Sequence, residues 1–561
     1  MNCLLLSGSL SLVWAAAPVA QVQVQLVAAP GNVTLHPGRT SPAYLYNSQL
    51  PGPVLRVTEG QSLKVRVRNL LPEPTTVHWH GVPVPLGMDG VPGITRPPVE
   101  SGQEFTYEFV ARPAGTYFFH PHVGLQLDQG LYGILIVDPA TPGDPPYDRE
   151  LIVVLDDWNT GGTTWLINGK SSLGQTPLTV RTGERVRIRF INVSVADGYV
   201  VALDRHPMTV THTDGQRVQP VAVQAIPIGP GERYDILVQA NQPGLWSLAA
   251  AGISNRNVTL VRAILAYEGA AGTPPDPAYV PPFLSSGTLL SYAMLASAGP
   301  VPPIRAIPDR VHDLTLSGGM MGQPWMINGQ SWPNASPLPV AAGEAVRFNL
   351  TNRTVADHPM HLHGHFFRLL NTAGGTTQPV VKDTILIRGG MGNGASVEWL
   401  ADNPGGWMFH CHNLYHAEGG MMRLVQYINS DADADGVQDG MDWDPLSAYP
   451  VLSTSSSNAG YRYGTGFSLD TQWRVGEAVA TFLGLPLEPG VPLGLLGTLS
   501  LGVPVHVGSA MVGSSAFAAV PVEIPNDQAL VGVRAGFQAL ATHAVLAPGV
   551  RLSTLAIVNV R

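Results

Sequence analysis

The sequence predicts an all-β fold of three β-sandwich domains followed by a short acidic loop and a smaller β-sandwich-like module. The first observation behind this prediction is composition. The chain has 62 glycines and 50 prolines among short alternating runs of Val, Thr and Leu, which is typical of short strands joined by turns. The second is length, because 561 residues suffice for about four domains. The third is a motif that occurs three times.

The repeated motif is a strand, a turn of Gly and Glu, and an alternating strand that ends in Asn. It reads PVLRVTEGQSLKVRVRN at 53–69, PLTVRTGERVRIRFIN at 177–192 and PLPVAAGEAVRFNLTN at 337–352. The second and third copies follow the similar phrases WLINGK and WMINGQ. Three copies predict three related β-domains. The alternation predicts that every second side chain faces a core.

Stretches rich in Pro and Gly set the predicted boundaries. The predicted parts are a leader (1–20), domains at 21–140, 141–270 and 311–430, a linker at 271–310, an acidic loop at 431–445 and a C-terminal β-module at 455–561. The apolar run at 4–20 is short for a membrane span and indicates a signal peptide, although no Lys or Arg precedes it and an apolar first strand is the alternative. A signal peptide predicts a periplasmic, extracellular or cell-surface location. The C-terminal module could then attach the protein to the cell surface. A net charge of −9 without a basic run argues against nucleic acid as a partner.

Four tight clusters hold ten of the 17 histidines. They are His78 and His80 in HWHG; His120 and His122 in HPHVG; His358, His361 and His363 in HPMHLHGH; and His410, His412 and His416 in HCHNLYHAEGG. Each of the four clusters contains His-x-His, and residues two apart on a strand project to the same face. A single histidine is usually an ordinary packed or surface residue. Four clusters of paired imidazoles indicate metal binding.

Cys411 lies between two of these histidines. The other cysteine, Cys3, is in the predicted leader, so no disulfide is expected in the mature chain. On a strand the sulfur points away from His410 and His412, so Cys411 can bind one metal while its neighbours bind others. With His416, the later Met421 and an imidazole from His358, it supplies the ligand set of a blue-copper electron-transfer site. The other eight histidines indicate a cluster of copper ions between two domains. Zinc is the main rival, but a tetrahedral zinc site does not need ten histidines.

The four clusters, in this order and spacing, resemble those of the multicopper oxidases, the family that includes laccases. The resemblance covers about residues 40–428 and extends to GTYFFHPHVGLQ at 115–126 and GERYDILV at 231–238. It implies three cupredoxin domains and four copper ions. It also implies one-electron oxidation of a reductant such as a phenol or aromatic amine, coupled to four-electron reduction of dioxygen to water.

By the same resemblance the ligands divide into three groups. The type 1 copper takes His358, Cys411 and His416 with Met421 axial; the type 2 copper takes His78 and His361; the type 3 pair takes His80, His120, His122, His363, His410 and His412. The resemblance also places an acidic residue of the proton path near Asp89, although an Asp before Gly is common in turns. Glu418, beside the type 1 loop, is a second candidate and could instead orient a substrate amine. His206, His212 and His365 are interpreted as structural or polar residues.

The acidic loop has the spacing of an EF-hand-like calcium site. Its candidate ligands are Asp431, Asp433, Asp435, Asp439 and Asp442. Because no amphipathic helices flank it, it resembles a thrombospondin type 3 repeat. A disordered acidic linker is the alternative.

Two other functions remain open from the sequence. One is a metallo-oxidase for Cu(I), Fe(II) or Mn(II), for which Met320, Met321, Met391 and Met422 in Gly-rich loops could hold Cu(I). The other is a non-enzymatic copper-storage or structural protein, which would bind copper without consuming oxygen.

Overall fold

The computed structural model describes residues 21–159, 162–301, 305, 307–320, 322–370 and 379–428, together with the backbone of strands between residues 453 and 560. It confirms the predicted all-β fold. The predicted leader and the five aspartates of the predicted calcium loop lie outside the described residues. Among the described helices none is long and apolar enough to cross a membrane.

The first sandwich consists of two four-stranded sheets that share one core. Its strands are β1 (Gln21–His36), β2 (Arg39–Tyr46), β3 (Val54–Thr58), β4 (Ser62–Asn69), β5 (His78–His80), β6 (Glu104–Val110), β7 (Gly115–His120) and β8 (Gly133–Asp138). The strand orders are β2-β1-β4-β6 and β3-β8-β7-β5. A short 3-10 helix, Leu86–Met88, precedes Asp89.

The second sandwich has sheets of six and five strands, in the orders β10-β9-β12-β17-β14-β15 and β11-β19-β18-β13-β16. Its strands are β9 (Arg149–Trp158), β10 (Thr164–Ile167), β11 (Leu178–Val180), β12 (Arg185–Asn192), β13 (Tyr199–Leu203), β14 (Met208–Thr213), β15 (Gln216–Val223), β16 (Ala225–Ile228), β17 (Arg233–Gln239), β18 (Leu245–Gly252) and β19 (Asn255–Tyr267). The stretch predicted as a linker contains a short helix, α1 (Pro282–Ser286), and a 3-10 helix, Tyr292–Met294.

The third sandwich carries most of the remaining histidines. Its strands are β20 (Arg310–Ser317), β21 (Met326–Ile327), β22 (Leu338–Val340), β23 (Ala345–Asn352), β24 (His358–Leu362), β25 (Phe367–Leu370), β26 (Val381–Lys382), β27 (Thr384–Ile387), β28 (Gly394–Leu400), β29 (Gly406–Cys411) and β30 (Met422–Tyr427). One sheet has the order β21-β20-β23-β28-β25-β26, and in the other β29, β24 and β27 are neighbours. Helix α2 (Leu414–Glu418) follows β29.

The chain divides into two compact units. The second comprises residues 337–344, 401–406 and the chain from 425 onward, and the first comprises the rest. Within the second unit, β22 runs parallel to the end of β30, with Leu338 paired to Val425. Its C-terminal strands are β31 (Ser453–Thr454), β32 (Gly460–Tyr461), β33 (Gly466–Gln472), β34 (Glu477–Gly484), β35 (Val491–Pro492), β36 (Thr498–Leu499), β37 (Val505–Met511), β38 (Phe517–Glu523), β39 (Arg534–His543), β40 (Val550–Leu552) and β41 (Ala556–Val560).

The predicted alternation holds in the first and third copies of the motif but is wrong in the second. In β12 nearly every side chain is buried on both faces, including Arg187 and Arg189. The reason is that the face expected to meet solvent packs on the first sandwich. Arg189 donates to the Thr116 hydroxyl of the first sandwich at 2.6 Å and to Asp235 of its own sandwich at 2.9 Å. Charged side chains tolerate burial here because they are paired.

The asparagine that ends each copy of the motif has the same role in all three. Asn69, Asn192 and Asn352 are fully buried, and each side chain accepts a backbone N–H two residues later, at 2.8 to 3.0 Å. Each amide also donates to two carbonyl oxygens further along the chain. These contacts fix the loop before His78 in the first sandwich and the loop before His358 in the third.

Asp156, in β9, gives the fold a testable pH dependence. Burial raises the pKa of this carboxyl from 3.8 to about 7, and the Tyr132 hydroxyl donates to it at 2.8 Å. A raised pKa in the folded state means that the stability contribution is present at low pH and is lost as pH rises from about 4 to about 7. We expect Asp156→Asn to be more stable than wild type at pH 8, by up to about 4 kcal/mol, with the difference vanishing near pH 4. Urea unfolding of both copper-free proteins across this range measures it, and a constant difference would contradict it.

Candidate copper centre

Two antiparallel strand pairs bring the histidine clusters together. In the first sandwich His78 on β5 lies opposite His120 on β7. In the third, His361 on β24 lies opposite His410 on β29, and Met360 lies opposite Cys411. The His-x-His pairs therefore present their imidazoles from neighbouring strands, as the spacing predicts.

Eight imidazoles from the two sandwiches form one cluster, here called the eight-histidine cluster. Its members are His78, His80, His120, His122, His361, His363, His410 and His412. The rings interleave: His78 stacks on His363 and His80 on His361, each with centroids 3.8 Å apart. All except the partly exposed His122 are at most 1 % exposed.

The cluster has open nitrogen atoms, which is the test of whether it suits a metal. Nitrogens of five of these buried rings have no hydrogen-bond partner in the part of the chain that the structure describes: Nε2 of His78, His120 and His361, Nδ1 of His80, and both nitrogens of His412. Such atoms are costly unless something binds them. Burial, followed by the neighbouring imidazoles, lowers the pKa of His120, His363 and His412 well below its usual value. These three rings are therefore neutral at physiological pH and offer free lone pairs, and imidazole donors suit copper.

The second group consists of His358, Cys411 and His416. The Cys411 Sγ lies 3.7 Å from His358 Nδ1 and 3.5 Å from His416 Nδ1, and these two nitrogens are 3.1 Å apart. Burial raises the pKa of the Cys411 thiol. A metal bound here must therefore displace the thiol proton. Met421 is fully buried beside the group, and its carbonyl accepts from the Cys411 N–H at 3.1 Å.

In this group, only the His416 imidazole can be reached by another molecule at the ring edge that points away from Cys411. The Nε2 of His358 is bonded to the Thr354 hydroxyl at 2.7 Å, and the ring is fully buried. His416 is 9 % exposed and lines a cavity of about 420 Å³. The cavity walls include Asp197, Ser254 and Asn255 of the second sandwich, and Asp357 and Leu386 of the third.

Asp89 is fully buried and contacts imidazoles of both sandwiches. Its Oδ2 lies 2.9 Å from His363 Nδ1, its Oδ1 lies 3.1 Å from His78 Nδ1, and its carbonyl oxygen accepts from that same His78 nitrogen at 2.9 Å. Glu418 is different, because it is exposed at the end of α2. No hydrogen bond or ion pair among the described residues joins it to the clustered histidines.

The remaining candidates are placed as follows. His206 bonds to the Tyr267 hydroxyl at 2.6 Å, His212 lies 3.2 Å from Asp144, and His365 donates to the His363 carbonyl at 3.0 Å. None of the three belongs to a metal-type group of the described residues. Met320 and Met391 are 62 % and 78 % exposed, Met422 is buried, and Met321 is outside the described residues.

Sequence reasoning missed Asp383, Thr384 and Arg233. The Thr384 hydroxyl lies 3.1 Å from both His80 Nε2 and His361 Nδ1, and Asp383 Oδ1 lies 3.2 Å from His80 Nε2. Arg233 forms two hydrogen bonds to the Asp383 carboxylate, at 2.7 and 2.6 Å. The available signal was the pair Lys382–Asp383 inside an otherwise apolar strand run, where charged residues are costly unless paired.

Comparison with known proteins gives a consistent result. Three stretches of the chain match multicopper oxidase domains, at residues 28–142, 151–270 and 307–431. Multicopper oxidase MmcO of Mycobacterium tuberculosis is 36 % identical, over 68 % of this chain and 82 % of that protein. Laccase-3 of Botryotinia fuckeliana is 30 % identical, over 66 % of this chain and 99 % of that protein. The crystal structure of a multicopper oxidase from Pseudomonas thermotolerans is 29 % identical, covers 73 % of this chain and all of its own, and superposes with a TM-score of 0.60.

Together with the fold and the site, these relatives define a copper-dependent oxidoreductase that uses oxygen as its acceptor. The chain belongs to the multicopper oxidase family.

Proposed function

We propose that the protein is a laccase-type oxidase that takes single electrons from an organic reductant at a type 1 copper and reduces dioxygen to water at a three-copper cluster. Type 1 copper would be held by His358, Cys411, His416 and Met421; type 2 by His78 and His361; the type 3 pair by His80, His120, His122, His363, His410 and His412. Copper in these positions supplies one-electron acceptance and four-electron delivery to oxygen.

The observation that carries the proposal is the position of Cys411. Its sulfur contacts His358 and His416, while its two chain neighbours, His410 and His412, belong to the eight-histidine cluster. Electrons therefore have a path of a few covalent bonds between the two groups. A storage protein has no need for this connection.

The entry point for electrons is the far edge of His416. Thr354 occupies the corresponding edge of His358, so the cavity beside His416 is where a reductant can make contact. Asp197 and Asp357 line this cavity. One carboxylate oxygen of each is held, by Trp165 at 2.7 Å and by Arg388 at 3.2 Å, respectively. The other oxygen of each accepts no hydrogen bond from the described residues and can accept one from a phenol O–H or an aromatic ammonium.

A metallo-oxidase is the second candidate, favoured by the same carboxylates. Oxygen ligands suit Mn(II), whereas Cu(I) prefers thioethers, and the described lining of the cavity contains no methionine. We therefore rank Fe(II) and Mn(II) above Cu(I) as alternative substrates. A periplasmic or extracellular location fits either function and is proposed on the predicted leader.

Substituting Asp197 tests the choice of substrate. We expect Asp197→Asn to raise the KM for an aromatic diamine about tenfold with little change in kcat, because it weakens a charge-assisted hydrogen bond. Steady-state oxygen uptake with a diamine, a phenol, Fe(II), Mn(II) and Cu(I) would measure this. Asp276→Asn, on a residue outside the cavity lining, is the control. Wild-type turnover of metal ions but of neither organic substrate would reject the laccase assignment.

Asp89 has the contacts of a proton donor to the cluster. It is fully buried and bridges His363 and His78. We expect Asp89→Asn to lower kcat for oxygen reduction by about 10²-fold or more, since a positioned acid contributes 10²–10⁴-fold. Stopped-flow reoxidation of the reduced enzyme by oxygen measures this step, and the rate of anaerobic reduction by a phenol should be unchanged. Slowing of the reduction step instead would contradict the assignment.

A further inference from the structure

The second sandwich supplies no predicted copper ligand, yet it sends a cluster of charged side chains towards the eight-histidine cluster. Five ionisable residues, here called the Arg233 network, are at most 1 % exposed: Asp214, Glu232, Arg233, Lys382 and Asp383. The first three belong to the second sandwich and the last two to the third. Burying five charged groups costs several kcal/mol each unless they pair closely.

The pairing within the network is complete. Arg233 donates twice to Asp383, and Lys382 lies 3.0 Å from both Asp214 and Glu232. Asp214 accepts from the Arg233 backbone N–H at 2.9 Å. Glu232 accepts from the Tyr292 hydroxyl at 2.7 Å, so the stretch after the second sandwich takes part as well. Each residue therefore restrains its neighbours.

Asp383, a member of the network, and its neighbour Thr384 contact two imidazoles of the eight-histidine cluster. They bond to Nδ1 of one ring and to Nε2 of the other, so a different nitrogen stays open on each. The Nδ1–H of His361 donates to the Asp383 carbonyl oxygen at 2.9 Å, which leaves Nε2 open. The Nε2 of His80 faces the Asp383 carboxylate at 3.2 Å and the Thr384 hydroxyl at 3.1 Å, which leaves Nδ1 open. The Thr384 hydroxyl itself donates to Asp383 at 2.8 Å, so it can only accept from these rings. One carboxylate and one hydroxyl thus select which nitrogen each ring presents.

We propose that the Arg233 network is the second sandwich's contribution to the copper cluster, with Arg233, Asp383 and Thr384 as positioning residues that fix the tautomers of His80 and His361. This inference rests on the proposed function, because it takes those two histidines as copper ligands. Arg233 holds Asp383 from the second sandwich, and Asp383 with Thr384 holds the rings. Without its bidentate partner the carboxylate is free to rotate away from His80.

Two substitutions test the proposal at different points. Arg233→Lys keeps the charge but cannot make both hydrogen bonds to Asp383. Thr384→Val keeps the shape and removes the hydroxyl that meets both rings. Arg187→Lys is the matched control, since Arg187 is a buried arginine paired to Asp235 at 2.6 Å and to Asp144 at 2.7 Å, away from the histidines. Circular dichroism establishes folding for each variant.

The readout is copper itself. Copper-free protein is titrated anaerobically with Cu(I) against a competing chelator. The loaded protein is then oxidised to the Cu(II) state by air and examined by EPR and by visible absorption. We expect Arg233→Lys and Thr384→Val to weaken copper binding at the eight-histidine cluster ten- to a hundredfold and to alter the type 2 EPR signal. The absorption from the Cys411 site should match wild type, and Arg187→Lys should be unchanged in all three measurements.

Two results would overturn the proposal. One is wild-type cluster affinity and an unaltered type 2 signal in a folded Arg233→Lys or Thr384→Val protein. The other is parallel loss of copper from both groups, which would indicate a general folding role. If Arg233→Lys does not fold, Thr384→Val decides. A wild-type protein without type 1 absorption would instead reject the proposed function.

Discussion

Replacing Cys411 by serine is expected to abolish the blue colour of the copper-loaded protein and to reduce turnover of every reductant by at least about 10³-fold. The thiolate is the softest ligand of its group and the covalent link between His410 and His412, so its loss removes both the absorbing bond and the electron path. Absorption near 600 nm, copper content per chain and oxygen uptake measure the effect.

The fold should survive this substitution. Cys411 is fully buried but small, and serine fits the same space in β29. The eight-histidine cluster should retain its copper, since Cys411 is not one of its members. His206→Gln, in the second sandwich, serves as a control that keeps colour and turnover. A Cys411→Ser protein that stays blue or turns over normally would reject the whole assignment of sites.

A methyl group at Gly81 is the second change with a large expected effect. Gly81 has φ +82°, and a Cβ there would lie 2.4 Å from both Arg233 Nη2 and Asp383 Oδ2. Both atoms belong to a buried ion pair that has no room to move. We expect Gly81→Ala to lower the free energy of unfolding of the copper-free protein by about 3 kcal/mol or more, as backbone strain and steric overlap add.

Gly102→Ala separates those two contributions. Gly102 has φ +80°, but a Cβ there would meet no atom within 4 Å. It should therefore show the backbone strain alone, at about 1 kcal/mol. Guanidinium unfolding of both variants measures the difference. Equal losses in the two variants would mean that the space around Arg233 and Asp383 is not tightly filled.

Sequence reasoning reached the fold class because its signals are local. Strand alternation, turn residues and the threefold motif each predict β-structure within a few residues. The candidate metal ligands could be predicted for a related reason. His-x-His on a strand places two imidazoles on one face regardless of what surrounds them. The alternation failed only in β12, where the partner covering the second face comes from about 70 residues earlier.

The surroundings of the ligands could not be predicted in the same way. Thr354 on His358, Thr384 on His80 and Arg233 on Asp383 are contacts made by tertiary packing, at separations in sequence from 4 to 304 residues. No local pattern marks a threonine as the residue that caps an imidazole. Glu418 illustrates the reverse error, because closeness in sequence to His416 does not bring its exposed side chain into contact with the cluster.

The loop after Asn192 couples the second sandwich to the Cys411 site. Its Val195 carbonyl accepts from the Leu414 N–H at 2.8 Å, and its Asp197 lines the cavity at His416. Under the proposed function, part of the cavity that selects the reductant therefore belongs to a sandwich that supplies no copper ligand. Directed evolution restricted to 196–198 and 252–255 should change which reductants are accepted while every copper-binding side chain stays as it is. A screening library of this kind would be small, and its hits would keep an intact blue chromophore.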